Sequence, residues 1–161
     1  MNARWVCTLI VATLITDQLT KAAALSLLSQ GSSLAVFPGL NLTLGFNEGV
    51  SFGLFSDLMA GKPLVRAALT GTLIVILAIM TFRARYPIEQ VGFSLIVGGA
   101  LGNVIDRLRQ GAVTDFVDLA WQSWRWPTFN AADIAITVGA LCILFAAFSS
   151  HRSKESVVDQ S

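Results

Sequence analysis

Four apolar runs dominate this chain, at about 5–28, 64–82, 88–108 and 129–148. Each is close to the roughly 20 residues a helix needs to cross the hydrocarbon core of a bilayer. Backbone that meets lipid must satisfy its own N–H and C=O groups, so runs of this kind are read as helices. Of the 161 residues 54% are hydrophobic and 13% charged, whereas soluble domains carry about 25% charged residues. The expectation is a single all-α membrane domain over 1–161 with four transmembrane helices. A cleavable signal peptide fits the first run poorly, because it is too long and ends in no small-residue cleavage site. A net charge of +1 leaves no basic excess for holding nucleic acid. Cys7 and Cys142 fall inside apolar runs and read as small buried hydrophobes.

With four spans both termini share one side, together with the short basic link 83–87 and the tail 149–161. The first and third connections share the other side. The stretch 29–63 is rich in Gly, Ser and Asn, and Leu40-Asn41-Leu42-Thr43-Leu44 alternates, which suggests a small β-sheet at the interface. The stretch 109–128 reads as a loop whose three tryptophans suit the headgroup region. Lys and Arg divide five against six between the two sides, so charge alone does not orient the chain.

Charged and amide side chains within the spans gather at one side. Asp17 and Lys21 lie toward the end of the first run, Asn103, Asp106 and Arg107 at the end of the third, and Asn130 and Asp133 at the start of the fourth. Each has an ordinary explanation by itself. Asp17 and Lys21 form an i,i+4 pair, Asn130 and Asp133 suit a helix N-terminus, and Gly98, Gly99 and Gly102 suit close helix packing. Jointly these explanations weaken. Asn103 and Asp106 share one helix face, Asn130 and Asp133 another, and Val113-Thr114-Asp115-Phe116-Val117-Asp118 brings further acids from between them. Asp106, Asp115, Asp118 and Asp133 fall within 28 residues.

The residue types narrow the chemistry. The one histidine is His151 in the C-terminal tail, and neither a His-Glu-x-x-His motif nor a cysteine cluster occurs. Ser26 lies five residues beyond Lys21 and off its helix face, which gives weak support to a Ser–Lys nucleophile. Paired carboxylates that share a proton need no metal or cofactor, and none is expected. By spacing alone, Asp106 and Asp115 are equally good partners for Asp133.

Five blocks carry a resemblance to the bacterial lipoprotein signal peptidases (signal peptidase II) over nearly the whole chain. They are Asp17-Gln18-Leu19-Thr20-Lys21, Asn47-Glu48-Gly49-Val50-Ser51-Phe52, Gly98 through Arg107, Val113-Thr114-Asp115-Phe116, and Phe129-Asn130-Ala131-Ala132-Asp133. The resemblance implies an aspartyl endopeptidase of the bacterial inner membrane. Its termini would be cytoplasmic, with 29–63, 109–128 and the active site toward the periplasm. It would cut the signal peptide from a prolipoprotein just before the diacylglyceryl-modified cysteine, working among membrane lipids as a monomer. The catalytic aspartates fall on Asp115 and Asp133. Asn103, Arg107 and Asn130 match a polar shell around them, Asn47 and Gly49 a substrate-contacting loop, and Asp17 and Lys21 a supporting pair. Asp106 is a further motif acid in a supporting place. Glu48, Ser51 and Thr114 depart from the commonest residues at their positions, and none of them is a proposed catalytic group. The 29–63 sheet and the 109–128 loop would clamp the cleavage region.

The alternative from another class is a small proton or ion transporter that uses the membrane acids as a relay. It requires polar residues spread through the membrane depth, whereas 64–82 beyond Arg66 is clean. A non-enzymatic scaffold with glycine packing faces is a third option. It would tolerate Asp115→Asn and Asp133→Asn.

Overall fold

The computed structural model describes residues 2–48 and 63–158, with side chains described over 2–48 and 69–149. Four long helices occur among them: α1 (Ala3–Leu27), α2 (Pro63–Arg83), α3 (Pro87–Gln110) and α4 (Ala131–Val158). α1, α3 and the Ala131–Ser149 part of α4 are long and apolar enough to cross a membrane, while the apolar stretch described in α2, Leu69–Arg83, is shorter. Helix α4 runs beyond the expected end at 148 because nothing in Ser149–Val158 is a Pro or Gly that would stop it.

The packing is inside out relative to a soluble protein. Leu19, Leu27, Leu73, Leu141 and Phe145 are exposed, whereas Asp17, Lys21, Asn103 and Asp106 are buried. That distribution is stable only if the outer medium is apolar, so the helices belong in a membrane. Cys7 is exposed and Cys142 half-buried, which corrects the expectation of two buried thiols. Cys7 looks outward, where an apolar solvent holds it as well as a core would, while the Cys142 Cβ faces Gly92 of α3.

Among lipid tails, helices gain from close backbone approach rather than from hydrophobic burial. Glycines provide that approach around α3. A Cβ on Gly98 would stand 2.7 Å from the Thr13 Cβ of α1, and one on Gly99 would stand 2.7 Å from the Ala132 carbonyl oxygen of α4. Gly92 and Gly139 face each other, each too close to the other's carbonyl oxygen to carry a side chain. α3 is thus the central helix, held against α1 and α4.

Above the helices lies one antiparallel sheet in the order β1–β2–β3–β4, formed by Ser33–Phe37, Leu40–Asn47, Val113–Trp121 and Trp124–Arg125. Of the sheet expected in 29–63, β1 and β2 are there and 49–62 lie outside the described residues, but 109–128 is not a loop. Its Val113–Trp121 segment pairs with β2 and completes the sheet. The β-branched and aromatic alternation of that segment is a strand signal, and β2 supplies the ladder that makes a strand of it. Gly111, at φ 82°, ends α3 in the left-handed conformation that turns the chain directly into β3.

Candidate active site

Three local structures aim the polar residues. β3 fixes the start of α4, because the Phe129 carbonyl accepts from the N–H groups of Phe116 (3.1 Å) and Val117 (2.8 Å), and Phe129 N–H returns to the Val117 carbonyl (3.1 Å). Asn130 then caps α4. Its Oδ1 accepts from Asp133 N–H at 3.0 Å, and Asp133 Oδ2 accepts from Asn130 N–H at 3.2 Å. The ordinary capping explanation of Asn130 and Asp133 is therefore correct, and it is only part of what they do. The Asn130 side-chain amide also donates to Asp115 Oδ1 at 2.6 Å and lies 3.4 Å from Asn103 Oδ1. Asn103 Nδ2 donates to Asp133 Oδ1 at 3.0 Å.

Asp115 and Asp133 thus share Asn130 as a hydrogen-bonding partner, one through its side chain and one through its backbone. Asn47, at the end of β2, hydrogen-bonds Asp115 as well. Burial and the negative charge of Asp133 push the Asp115 carboxyl up from 3.8 to about 6, against the lowering effect of its bonds to Asn130 and Asn47 and of the Lys21 charge. Asp115 lines a cleft of about 430 Å³ together with Gly45, Phe46, Asn47, Glu48, Pro127 and Thr128. Gly45 stands opposite Asp115 in the β2–β3 register, and a Cβ there would sit 3.4 Å from Thr128 Oγ1, narrowing the cleft.

Beneath this pair the ammonium of Lys21 has three acceptors for its three protons: Asp17 Oδ2 at 2.9 Å, Asp106 Oδ2 at 3.0 Å and Asn103 Oδ1 at 2.8 Å. Asp17 and Lys21 do neutralise each other, yet they also reach across two other helices. Asp106 Oδ2 further accepts from Thr114 N–H at 3.0 Å, and its Oδ1 accepts from Gln18 Nε2 at 3.1 Å. Both oxygens of Asp106 are therefore engaged in structural bonds.

The expected site residues are brought together with two qualifications. Arg107 is exposed and donates from Nη1 to the Asn103 carbonyl at 3.4 Å. Gly49 lies outside the described residues. Asp118, counted among the converging acids, turns the other way. Three residues from Asp115 on a regular strand, it projects from the opposite face and meets Thr43 Oγ1 at 3.2 Å and Arg125 Nε at 3.8 Å. Gln18, Thr114 and Ala132 lie inside the quoted blocks but were given no role in the site from the sequence. Two of them contribute backbone N–H groups, which leave no residue-type signal. Gln18 sits inside a quoted block, but nothing in its spacing shows that it reaches α3. Among the described residues no His, Cys, Asp and Glu cluster is arranged to hold a metal ion.

The family model for signal peptidase (SPase) II matches residues 9–149. This chain belongs to the signal peptidase II family. It is 36% identical to the lipoprotein signal peptidase of Hydrogenovibrio crunogenus, over 98% of this chain and 95% of that protein. It is 42% identical to that of Anaplasma phagocytophilum, over 80% and 81%. A solved structure described as a bacterial membrane enzyme superposes with a TM-score of 0.82 at 31% identity, covering 94% of this chain and 92% of the other. Membership of the signal peptidase II family makes the chain a membrane protease and gives no support to the transporter alternative.

Proposed function

We propose that this protein removes signal peptides from prolipoproteins as an aspartic endopeptidase, cleaving just before the diacylglyceryl-modified cysteine, with Asp115 and Asp133 as its catalytic pair. The observation that carries the proposal is the tie of both carboxylates to Asn130, with Asp115 raised to about 6 at the wall of the cleft. Two carboxyl groups whose charges repel across a common partner share one proton in their working state. Asp115, the member that holds a proton more tightly than an ordinary carboxyl, donates to the scissile carbonyl oxygen. Asp133, ionised and held by Asn103 and Asn130, takes a proton from the attacking water. The tetrahedral intermediate then collapses: Asp133 passes that proton to the leaving amine as the C–N bond breaks, and Asp115 takes a hydroxyl proton back as the C=O bond re-forms. The occupied oxygens of Asp106 favour Asp115 over Asp106 as the partner of Asp133.

The lipidated substrate explains why the acids lie at one end of the bundle. Withdrawing acyl chains from the bilayer costs about 0.8 kcal/mol per buried CH₂, so the enzyme receives the substrate from the side, at the interface. All four helices span the bacterial inner membrane in this reading, with α2 as the fourth. The single domain 1–161 has cytoplasmic termini and link 83–87, and 29–63 and 109–128 are periplasmic. The protein acts as a monomer among membrane lipids, and the 29–63 and 109–128 segments clamp the substrate. Asn47 and Gly49 contact it, while Asn103, Arg107, Asn130, Asp17, Lys21 and Asp106 support the pair.

The test is cleavage of a diacylglyceryl-prolipoprotein by the purified protein. Asp115→Asn and Asp133→Asn are expected to abolish turnover, and Asp106→Asn to retain a measurable fraction. Full activity in Asp115→Asn overturns the assignment.

A further inference from the structure

Two backbone amides stand in matching places in the site. Thr114 immediately precedes Asp115, and its N–H is held by Asp106 Oδ2 at 3.0 Å. Ala132 immediately precedes Asp133, and its N–H is held by Asp17 Oδ1 at 3.0 Å. Each member of the pair is therefore delivered by a strand or helix whose preceding residue is gripped by a second, buried acid. The two gripping acids come from different helices, α1 and α3, and two side chains of α1 join them. Lys21 bridges Asp17 Oδ2 and Asp106 Oδ2 at 2.9 and 3.0 Å. Gln18 bridges the same two residues, its Nε2 lying 3.2 Å from Asp17 Oδ2, 3.1 Å from Asp106 Oδ1 and 3.3 Å from the Gly102 carbonyl. Gly102 makes room for the assembly, because a Cβ there would collide with the Asp17 carboxylate.

We propose that Gln18 is a positioning residue of the protease: with Lys21 it forms a brace, Thr114 N–H to Asp106 to Gln18 and Lys21 to Asp17 to Ala132 N–H, that sets the separation of Asp115 and Asp133. The proposal rests on the assignment of these two aspartates as the catalytic pair. The Phe129 backbone already ties β3 to the start of α4 on one side of the pair; the brace adds a tie from the helix side, and it opposes the repulsion of two carboxylates when both are charged. Buried charge pairs such as Asp17–Lys21–Asp106 are costly unless every proton and lone pair is matched. Gln18 supplies the neutral donor that completes the matching on the Asp106 Oδ1 side.

Gln18 carries no charge, so its removal changes the electrostatics of the pair through distance alone. Among the described residues, the charged groups around the pair are Asp17 and Lys21 from α1, Asp106 and Arg107 from α3, and Glu48, which follows β2 and lines the cleft. None of them changes in a Gln18 variant. A wider pair repels less, so its shared proton leaves at lower pH and the alkaline limb of the rate profile moves down.

The experiment measures the pH dependence of kcat and kcat/KM for a diacylglyceryl-prolipoprotein, using full-length protein quantified as folded enzyme. Gln18→Met keeps the length without the donor, and Gln18→Asn keeps the amide one methylene short. Both are expected to lower kcat roughly ten- to hundredfold with KM unchanged, and to shift the alkaline limb down by about half a pH unit. A lower kcat with unmoved limbs, or unchanged kinetics, overturns the positioning role. Asp115→Asn, assayed alongside, separates the two failures: activity in that variant refutes the catalytic pair itself, whereas its inactivity beside unmoved Gln18 limbs refutes only the brace.

Discussion

Strand β3 buries two aspartates on its opposite faces, and the two sites differ in almost everything else. Around Asp115 the strand is stitched to α3 through Asp106 and to the start of α4 through Asn130 and the Phe129 backbone. Around Asp118 its side-chain partners come from the sheet. Thr43 donates to one carboxylate oxygen, the other has no hydrogen-bond partner among the described residues, and Arg125, itself 68% exposed, stands 3.8 Å away. Both acids are at least 98% buried, since their exposures are 2% and 0%. Burial therefore does not single out a catalytic group. What distinguishes Asp115 is a second acid that shares its partner, and an open cleft beside it.

The sharpest way to break this contrast is to neutralise each acid in turn. Asp118→Asn is expected to keep prolipoprotein cleavage within a few fold of wild type, against a loss of about 10³-fold or more for Asp115→Asn. Equal losses would show that the whole strand, rather than one face of it, carries the site. Next comes stability. Lys21→Ala leaves Asp17 and Asp106 buried beside each other without their shared cation, and is expected to cost about 3–5 kcal/mol, read by thermal unfolding in detergent.

Asp115 itself gives a smaller effect of opposite sign. Its folded value of about 6 exceeds the ordinary 3.8, so the folded state binds the proton more tightly than the unfolded chain does. The ionised carboxylate then costs stability that is absent below about pH 4, grows through about pH 6 and is constant above it. Asp115→Asn removes that cost. The variant is expected to be more stable than wild type by up to about 3 kcal/mol at pH 7, with the gain vanishing at pH 4. A gain independent of pH would contradict the origin in ionisation. The smallest expected effect is that of Arg125→Ala, within about 0.5 kcal/mol in the same melts, because an exposed guanidinium at that distance is well screened.

Much of the fold and most of the site were legible from local features. Apolar runs located the helices to within a few residues at most ends, since lipid demands unbroken backbone pairing along each run. Asp17, Lys21, Asn103, Asp106, Asn130 and Asp133 stood out because amide and charged groups are costly among hydrocarbon. The loop expected at 109–128 failed where pairing was non-local: β3 needs β2, about seventy residues earlier in the chain. Asp118 misled for a related reason. Proximity in sequence suggested convergence, while the two-residue period of a strand sends residues three apart to opposite faces.

By itself the sequence determined that this is a membrane protein with its polar groups at one end, and its ordered motifs announced the signal peptidase II family. Those properties are set residue by residue, through hydrophobic length and the cost of charge in lipid. Only the tertiary structure decided how each carboxylate oxygen is used: both oxygens of Asp106 are taken by Lys21, Gln18 and Thr114 N–H, while Asp115 bonds Asn130 and faces a cleft, which supports Asp115 as the proposed partner of Asp133. Hydrogen bonds across helices and strands are fixed by angstrom-scale separations, which no spacing along the chain encodes.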